Sequence, residues 1–317
     1  MKTQVATGGA FGFAVESPEP IPGLDGGDAG PDAPMVTVSV AEAGSVTPAL
    51  HGGEELMSRR TPDGRLVATV SRDHEGNYRV YGAGFGAYDV SADASEIACR
   101  PPALTEPWIW QRFLMSQALP LAATLRGVEP FHASAVLVEG RVVAISGTSG
   151  AGKSSLSLSL AARGLPFYTD DVLAVAREGD SVRCKAGPGA ANVRDPGLRR
   201  LVSLGEFPFE GVLGETPDGV RALVKPAGRD RPLGAIYFLD HRPEHPEVAF
   251  ERTSDPRLLL GHTFNALVRT PERLVGQLAL CSLIAQKASL FRVRVPSETT
   301  VGDLATRVEQ HARDLLA

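Results

Sequence analysis

The sequence predicts an α/β fold in two parts, a small β-rich unit and then an α/β domain carrying helices toward its C-terminal end. Three observations lead there. Short β-type runs punctuated by Gly, Asp and Asn occupy the stretch up to about residue 101; strand and helix signals alternate from about residue 130; and a Gly-rich turn joins an apolar run to a helix-forming one. At 317 residues the chain fits two domains, or one large α/β domain with an appendage. Apolar residues make up 43% and charged residues 22%, an ordinary globular mixture that excludes wholesale disorder. The formal net charge is −5 and no basic run is present, so nucleic acid is a poor partner. Cys99, Cys184 and Cys281 lie far apart in no ligand-like spacing and read as buried small hydrophobes. No stretch reaches the ~18 apolar residues of a spanning helix, and no apolar segment follows Lys2, so the expected location is the cytoplasm, away from membranes.

Residues 1–35 hold seven Gly and five Pro, which oppose regular structure, and a mobile leader is expected there. Residues 36–126 read as the β-rich unit with a connecting helix. Its strands are expected near 36–40, 65–71 and 78–81. Trp110, Leu114, Ala118 and Leu121 then recur at three- and four-residue intervals, the spacing of an amphipathic helix over 107–126. Trp108 and Trp110 read as packing anchors. Residues 127–317 form the second unit. Runs 133–138 and 141–146 flank Glu139-Gly140 as a hairpin, although Glu is a poor first residue for a primed turn. A helix over 154–163 ends at Gly164, a strand near 167–175 returns over 181–185, and 233–239 is apolar enough for a strand buried on both faces. Residues 257–290 read as helical with a break at Pro271, 290–295 as a late strand, and Leu304, Val308, Ala312 and Leu315 line one face of a final helix.

Gly147, Thr148, Ser149, Gly150, Ala151, Gly152, Lys153 and Ser154 fit the phosphate-loop pattern G-x-x-x-x-G-K-[ST] in full, with Ser155 following. The chemistry is that of an anion cradle. Successive main-chain N–H groups curl round a phosphate, the helix N-terminus adds its partial positive charge, Lys153 reaches the β- and γ-phosphates of a nucleoside triphosphate, and the Ser154 hydroxyl ligates Mg²⁺. A purely structural Gly-rich turn is the bland alternative. The Asn-Lys-x-Asp of a guanine site is absent, and so is an apolar run ending in Asp-Glu. Instead Phe167-Tyr168-Thr169 runs into Asp170-Asp171. Consecutive side chains of a strand point to opposite sides, so the two acids can share one role only if the strand breaks between them. His132 opens the strand pair that leads into the loop and can return to its neighbourhood.

Together these residues resemble the catalytic domain of the HPr kinase/phosphorylase family. The resemblance rests on His132 before its strand, Gly147 to Ser154, and Asp171 placed 18 residues beyond Lys153, and it covers roughly residues 130–240. Ser289 to Pro296 is similar to the end of the shorter HPr-kinase-like serine kinases, including those found with lasso-peptide biosynthesis. The resemblance implies a phosphate-loop fold of that type and a kinase that moves the γ-phosphate of ATP to a serine of a protein or peptide. It further implies Asp171 as general base, His132 near the γ-phosphate, Lys153 neutralising charge, and Ser154 with Asp170 toward Mg²⁺. Family members often form hexamers, so a homo-oligomer is among its expectations.

Two departures stand out. The family's Glu in a Glu-Val-Arg-Gly-like segment is missing from Asn192-Val193-Arg194-Asp195, where Asp195 is the candidate substitute. The Pro-Gly-Arg-Asn segment tied to the reverse reaction has only a loose echo in Ala227-Gly228-Arg229-Asp230. Kinase activity is therefore expected over a bifunctional cycle. Arg199, Arg229 and Arg231 are candidate phosphate clamps. His241 and His245 have the spacing of a helical metal pair, but Pro243 and Pro246 oppose the helix. Competing functions are an ATP-gated peptide-binding module without transfer and a kinase of a small metabolite.

Overall fold

The computed structural model describes residues 6–25, 30, 32–41, 46–217 and 219–317. Eight strands make the first sheet: β1 (Ala6–Ala10), β2 (Phe13–Ser17), β3 (Met35–Val40), β4 (Glu54–Arg60), β5 (Leu66–Arg72), β6 (Tyr78–Gly82), β7 (Gly86–Val90) and β8 (Glu96–Arg100). Their spatial order is β1-β2-β3-β8-β7-β6-β5-β4, with β3 parallel to both neighbours and the other pairs antiparallel. The leader expectation fails over residues 6–25. Phe11, Phe13, Ile21 and Leu24 are buried there, the Phe11 N–H donates to the Ala186 carbonyl at 2.7 Å, and the Gly189 N–H donates to Gly23 at 2.7 Å. Burial of those four side chains offsets the entropy that the Gly and Pro content costs. Residues 1–5, 26–29 and 31 of the leader lie outside the described residues.

The connecting helix is present in three pieces: α1 (Pro107–Phe113), a widened π turn (Leu114–Ala118) and α2 (Leu119–Leu125). Trp110, Leu114, Ala118 and Leu121 are buried against the first sheet, as their spacing requires. Pro120 explains the widened turn, because it cannot donate to the carbonyl four residues back.

The second unit begins with β9 (Glu129–Val138) and β10 (Arg141–Ser146), joined through Glu139 and Gly140 at φ 47° and 72°, a primed turn despite the unfavourable Glu. It continues with α3 (Lys153–Ala162), β11 (Phe167–Thr169), β12 (Val172–Glu178), β13 (Ser181–Lys185), β14 (Ala190–Val193), α4 (Pro196–Leu204), β15 (Phe209–Thr216), β16 (Gly219–Val224) and β17 (Arg231–His241). The last elements are β18 (Ala249–Thr253), α5 (Arg257–Leu260), α6 (Pro271–Lys287), β19 (Ser289–Val295) and α7 (Val301–Leu316). β17 is paired parallel with β10 on one side and β19 on the other, which is why residues 233–239 are apolar throughout. Helices α3 and α7 cover one face of this sheet, and α5 and α6 the other. The pairings β10–β9–β12–β13–β17–β10 also close a five-strand ring. A separate three-stranded sheet, β14-β16-β15, packs beside α3. No strand pattern marks it in the sequence: β14 has only four residues, β15 is interrupted by Gly211 and Gly214, and β16 opens on Gly219. Pro271 occupies the first turn of α6, so the break precedes the helix and residues 261–270 form a connecting loop. All three cysteines are buried. Among the described residues no helix is long and apolar enough to cross a membrane.

Candidate functional site

Antiparallel pairing brings the separated motif residues to one end of the second sheet. β10 ends at Ser146, opposite Ala133 of β9, so His132 stands beside the start of the Gly-rich loop. β12 starts at Val172, opposite His132, so Asp170 and Asp171 arrive at the same end from the other side. The strand does break between them: β11 stops at Thr169, and Asp171 sits at φ 65°, a left-handed conformation that costs a non-glycine residue. His132 Nδ1 lies 3.1 Å from the Asp171 carbonyl. A carbonyl can only accept, so Nδ1 carries the proton and the ring holds the Asp171 peptide in place.

The two acids have opposite surroundings. Asp170 is buried, with Oδ1 accepting from the Ser134 hydroxyl at 2.7 Å and Oδ2 from the Asn192 N–H at 3.2 Å. Asp171 has no carboxylate hydrogen bond among the described residues, and its carboxyl is pushed up to about 6, first by the adjacent Asp170 charge and then by burial. Arg221, Arg112 and Lys153 pull it the other way.

The loop has the geometry of an anion cradle. Gly150 and Gly152 adopt φ 82° and 85°, open only to glycine at low cost, and Gly152 precedes α3 with no side chain capping the first N–H groups. Thr148, Ser149 and Gly150 are exposed, Gly147 and Ala151 are buried, and Ser154 and Ser155 are half-buried on the first turn of α3. Lys153 is 5% exposed, and its Nζ donates to the carbonyls of Gly147 at 3.1 Å and Thr148 at 3.0 Å. Burial lowers its affinity for the proton, as it does for His132, where the Lys153 charge adds to the effect. A chain of N–H groups without a cap, next to a buried cation, suits the phosphates of a nucleotide. Ser154 with Asp170, each of whose oxygens retains a free lone pair, suits Mg²⁺. Among the described residues no cluster of three or more acid, His or Cys groups exists, and Mg²⁺ bound through phosphates and water needs none.

Several sequence candidates lie elsewhere. Asp195 caps α4, its Oδ1 accepting from the Leu198 N–H at 3.0 Å, so it does not stand in for the absent glutamate. Arg199 is exposed on that helix. Arg231 opens β17 and Arg229 precedes it, whereas β17 reaches the loop only at its other end, where His241 Nε2 approaches the Ala151 carbonyl at 3.1 Å. Arg229 and Arg231 are thus on the wrong side of the sheet to clamp a phosphate. His245 is not near His241 in function: its Nδ1 faces the Glu247 carbonyl.

The sequence missed Ser134, Asn192, Arg221 and Arg112. Ser134 lies two residues past His132 and so shared the motif's strand, a usable signal. Asn192 and Arg221 face each other in the unforeseen small sheet, and Arg112 comes from the first unit.

No protein-family model matches the sequence, and no curated protein matches it. Among solved structures, the Hpr(Ser) kinase/phosphatase from Coxiella burnetii aligns with 59% of this chain and 99% of that chain, at 15% identity and a TM-score of 0.34. A superposition that loose leaves the functional reading to the residues themselves.

Proposed function

We propose that the protein is a kinase that transfers the γ-phosphoryl group of ATP to a serine hydroxyl of a protein or peptide. The observation that carries this is the Asp171 carboxyl, without a hydrogen bond among the described residues and raised toward neutrality, at the sheet end that carries the loop and its lysine. Phosphoryl transfer asks mainly for alignment and charge stabilisation, plus a base within reach of the acceptor. In the proposed step the acceptor oxygen bonds to the γ-phosphorus, the bond from phosphorus to the β,γ-bridging oxygen breaks, and ADP keeps that electron pair. The hydroxyl proton goes to a carboxylate oxygen of Asp171. A proton affinity near neutrality suits a base working at pH 7 better than an ordinary carboxylate does.

Lys153 would leave its two loop carbonyls for the phosphate oxygens, while the free N–H groups of the loop and of the first turn of α3 hold the phosphate chain. His132 keeps the Asp171 backbone in its left-handed conformation, so it serves as a positioning residue. Ser154 and Asp170 would hold Mg²⁺, which supplies charge neutralisation on the phosphates when bound. The test uses γ-labelled ATP, Mg²⁺ and acceptors of both sizes, serine-containing peptides and free serine. Label in a peptide serine that disappears in Asp171→Asn, with ATP still bound, is the expected result. ATP binding with no transfer to any acceptor would sink the kinase reading.

A further inference from the structure

The first unit reaches the motif end of the second through α1. An added Cβ at Gly214 would sit 2.2 Å from the Trp108 ring, so that ring occupies the space the missing side chain leaves on β15. Gly214 pairs with Arg221 across to β16, and Arg221 pairs with Asn192 of β14, whose N–H holds Asp170. Arg112 stands one helical turn beyond Trp108, on the same face of α1. Arg221 is 5% exposed, yet among the described residues its Nε has no hydrogen-bond partner and its Nη1 reaches only Asn192 Oδ1, at 3.5 Å. Among the described residues neither guanidinium closes an ion pair. A buried guanidinium with an unsatisfied N–H is costly unless something with free lone pairs arrives to meet it.

We propose that Arg112 and Arg221 form a second anion site, on the acceptor side of Asp171, that receives a phosphate monoester. It rests on the kinase reading, since the group transferred past Asp171 would arrive there as the phosphoester of the product. The two cations and Lys153 all act on the Asp171 carboxyl, and Arg112 and Arg221 repel one another, which fits a place kept for a shared anion. Forked guanidinium donors match the oxygens of a phosphoryl group in geometry and charge. The site exists only when the two units are packed together, so the first unit takes part in recognition of the product and not only in folding.

The test is calorimetric titration of the full chain with O-phosphoserine, with inorganic phosphate in a second arm, and with Mg·ADP as a separate measurement. The variants are Arg112→Gln on the half-buried helix face and Arg221→Lys inside. Both anions are expected to bind the native chain if the site takes free phosphate as well, and phosphoserine alone if it needs the ester. Either variant should weaken binding at least tenfold and leave ADP affinity unchanged. Phosphoserine affinity that is undetectable in the native chain, unaltered by Arg112→Gln, or lost in step with ADP affinity overturns the proposal. Loss of label transfer from ATP with phosphoserine binding intact would remove the kinase reading and leave the anion site standing.

Discussion

The Ser134 hydroxyl donates to Asp170 at 2.7 Å, and this bond, with the Asn192 N–H, makes two adjacent acids chemically different. The Asp170 charge, and then burial, keep Asp171 reluctant to ionise. The sequence separation of a single peptide bond hides that asymmetry.

The pH dependence follows. Asp171 accepts a proton only when ionised, so the rate should be low in acid, rise through about pH 6 and level off above it. Carbon-13 carboxyl titration reads the same group directly. In Asp170→Asn the largest cause of the elevation is gone, and the midpoint should fall toward the ordinary carboxylate range. A midpoint that stays near 6 in that variant would assign the elevation to burial instead.

Stability carries the opposite sign. The folded chain binds the Asp171 proton more tightly than the unfolded chain, so this group favours folding below about pH 4 and progressively less as pH rises through 6. Asp171→Asn should therefore stabilise the protein at pH 7.5, by up to about 3 kcal/mol, while abolishing transfer. Thermal melts at pH 7.5 and pH 4 check it: the gain should vanish at the lower pH.

Docking of α1 onto the small sheet depends on the missing side chain at Gly214. Gly214→Ala drives a methyl into the Trp108 ring and should cost about 1–3 kcal/mol. Trp108→Ala makes room, so denaturant titration of the double variant should show a loss well short of the sum of the singles. Strict additivity would mean that the two residues do not touch.

A second clamp supports the site from behind. Arg273 and Glu129 form a buried ion pair at 2.7 Å, Gln277 donates to the same carboxylate at 2.9 Å, and Arg273 also holds the carbonyls of Phe264 and Val268. The Phe264 ring packs edge-on against His132 at 5.4 Å, and the His132 N–H donates to the His262 carbonyl at 2.7 Å. Arg273→Ala strands the Glu129 charge and should destabilise the fold by about 3–5 kcal/mol. Glu129→Gln with Arg273→Met should recover most of that loss in a urea titration.

Much of the fold could be read in advance wherever one local pattern decides it. The period of Trp110, Leu114, Ala118 and Leu121 specified a buried helix face, and the nearly continuous apolar run of 233–239 specified a strand buried on both faces, because each reflects the same burial on every turn or residue. The small sheet escaped because β14 finds its partner β16 only beyond α4 and β15, and because β15 carries glycines, Gly214 among them where α1 approaches. Residues 6–25 depart from the leader expectation for a related reason: composition measures what order costs locally, while Phe11 and Phe13 recover it from contacts that composition does not record.

What the sequence determined alone is the chemistry available at one strand end: a glycine-lined loop, a lysine, a histidine and a pair of acids, all set by backbone conformation and short-range spacing. Only the tertiary structure decided which acid is left free and which cations face it, because electrostatic surroundings are a property of space. Ser134, Asn192, Arg221 and Arg112 come from four separate elements, and no spacing along the chain encodes their convergence on Asp170 and Asp171.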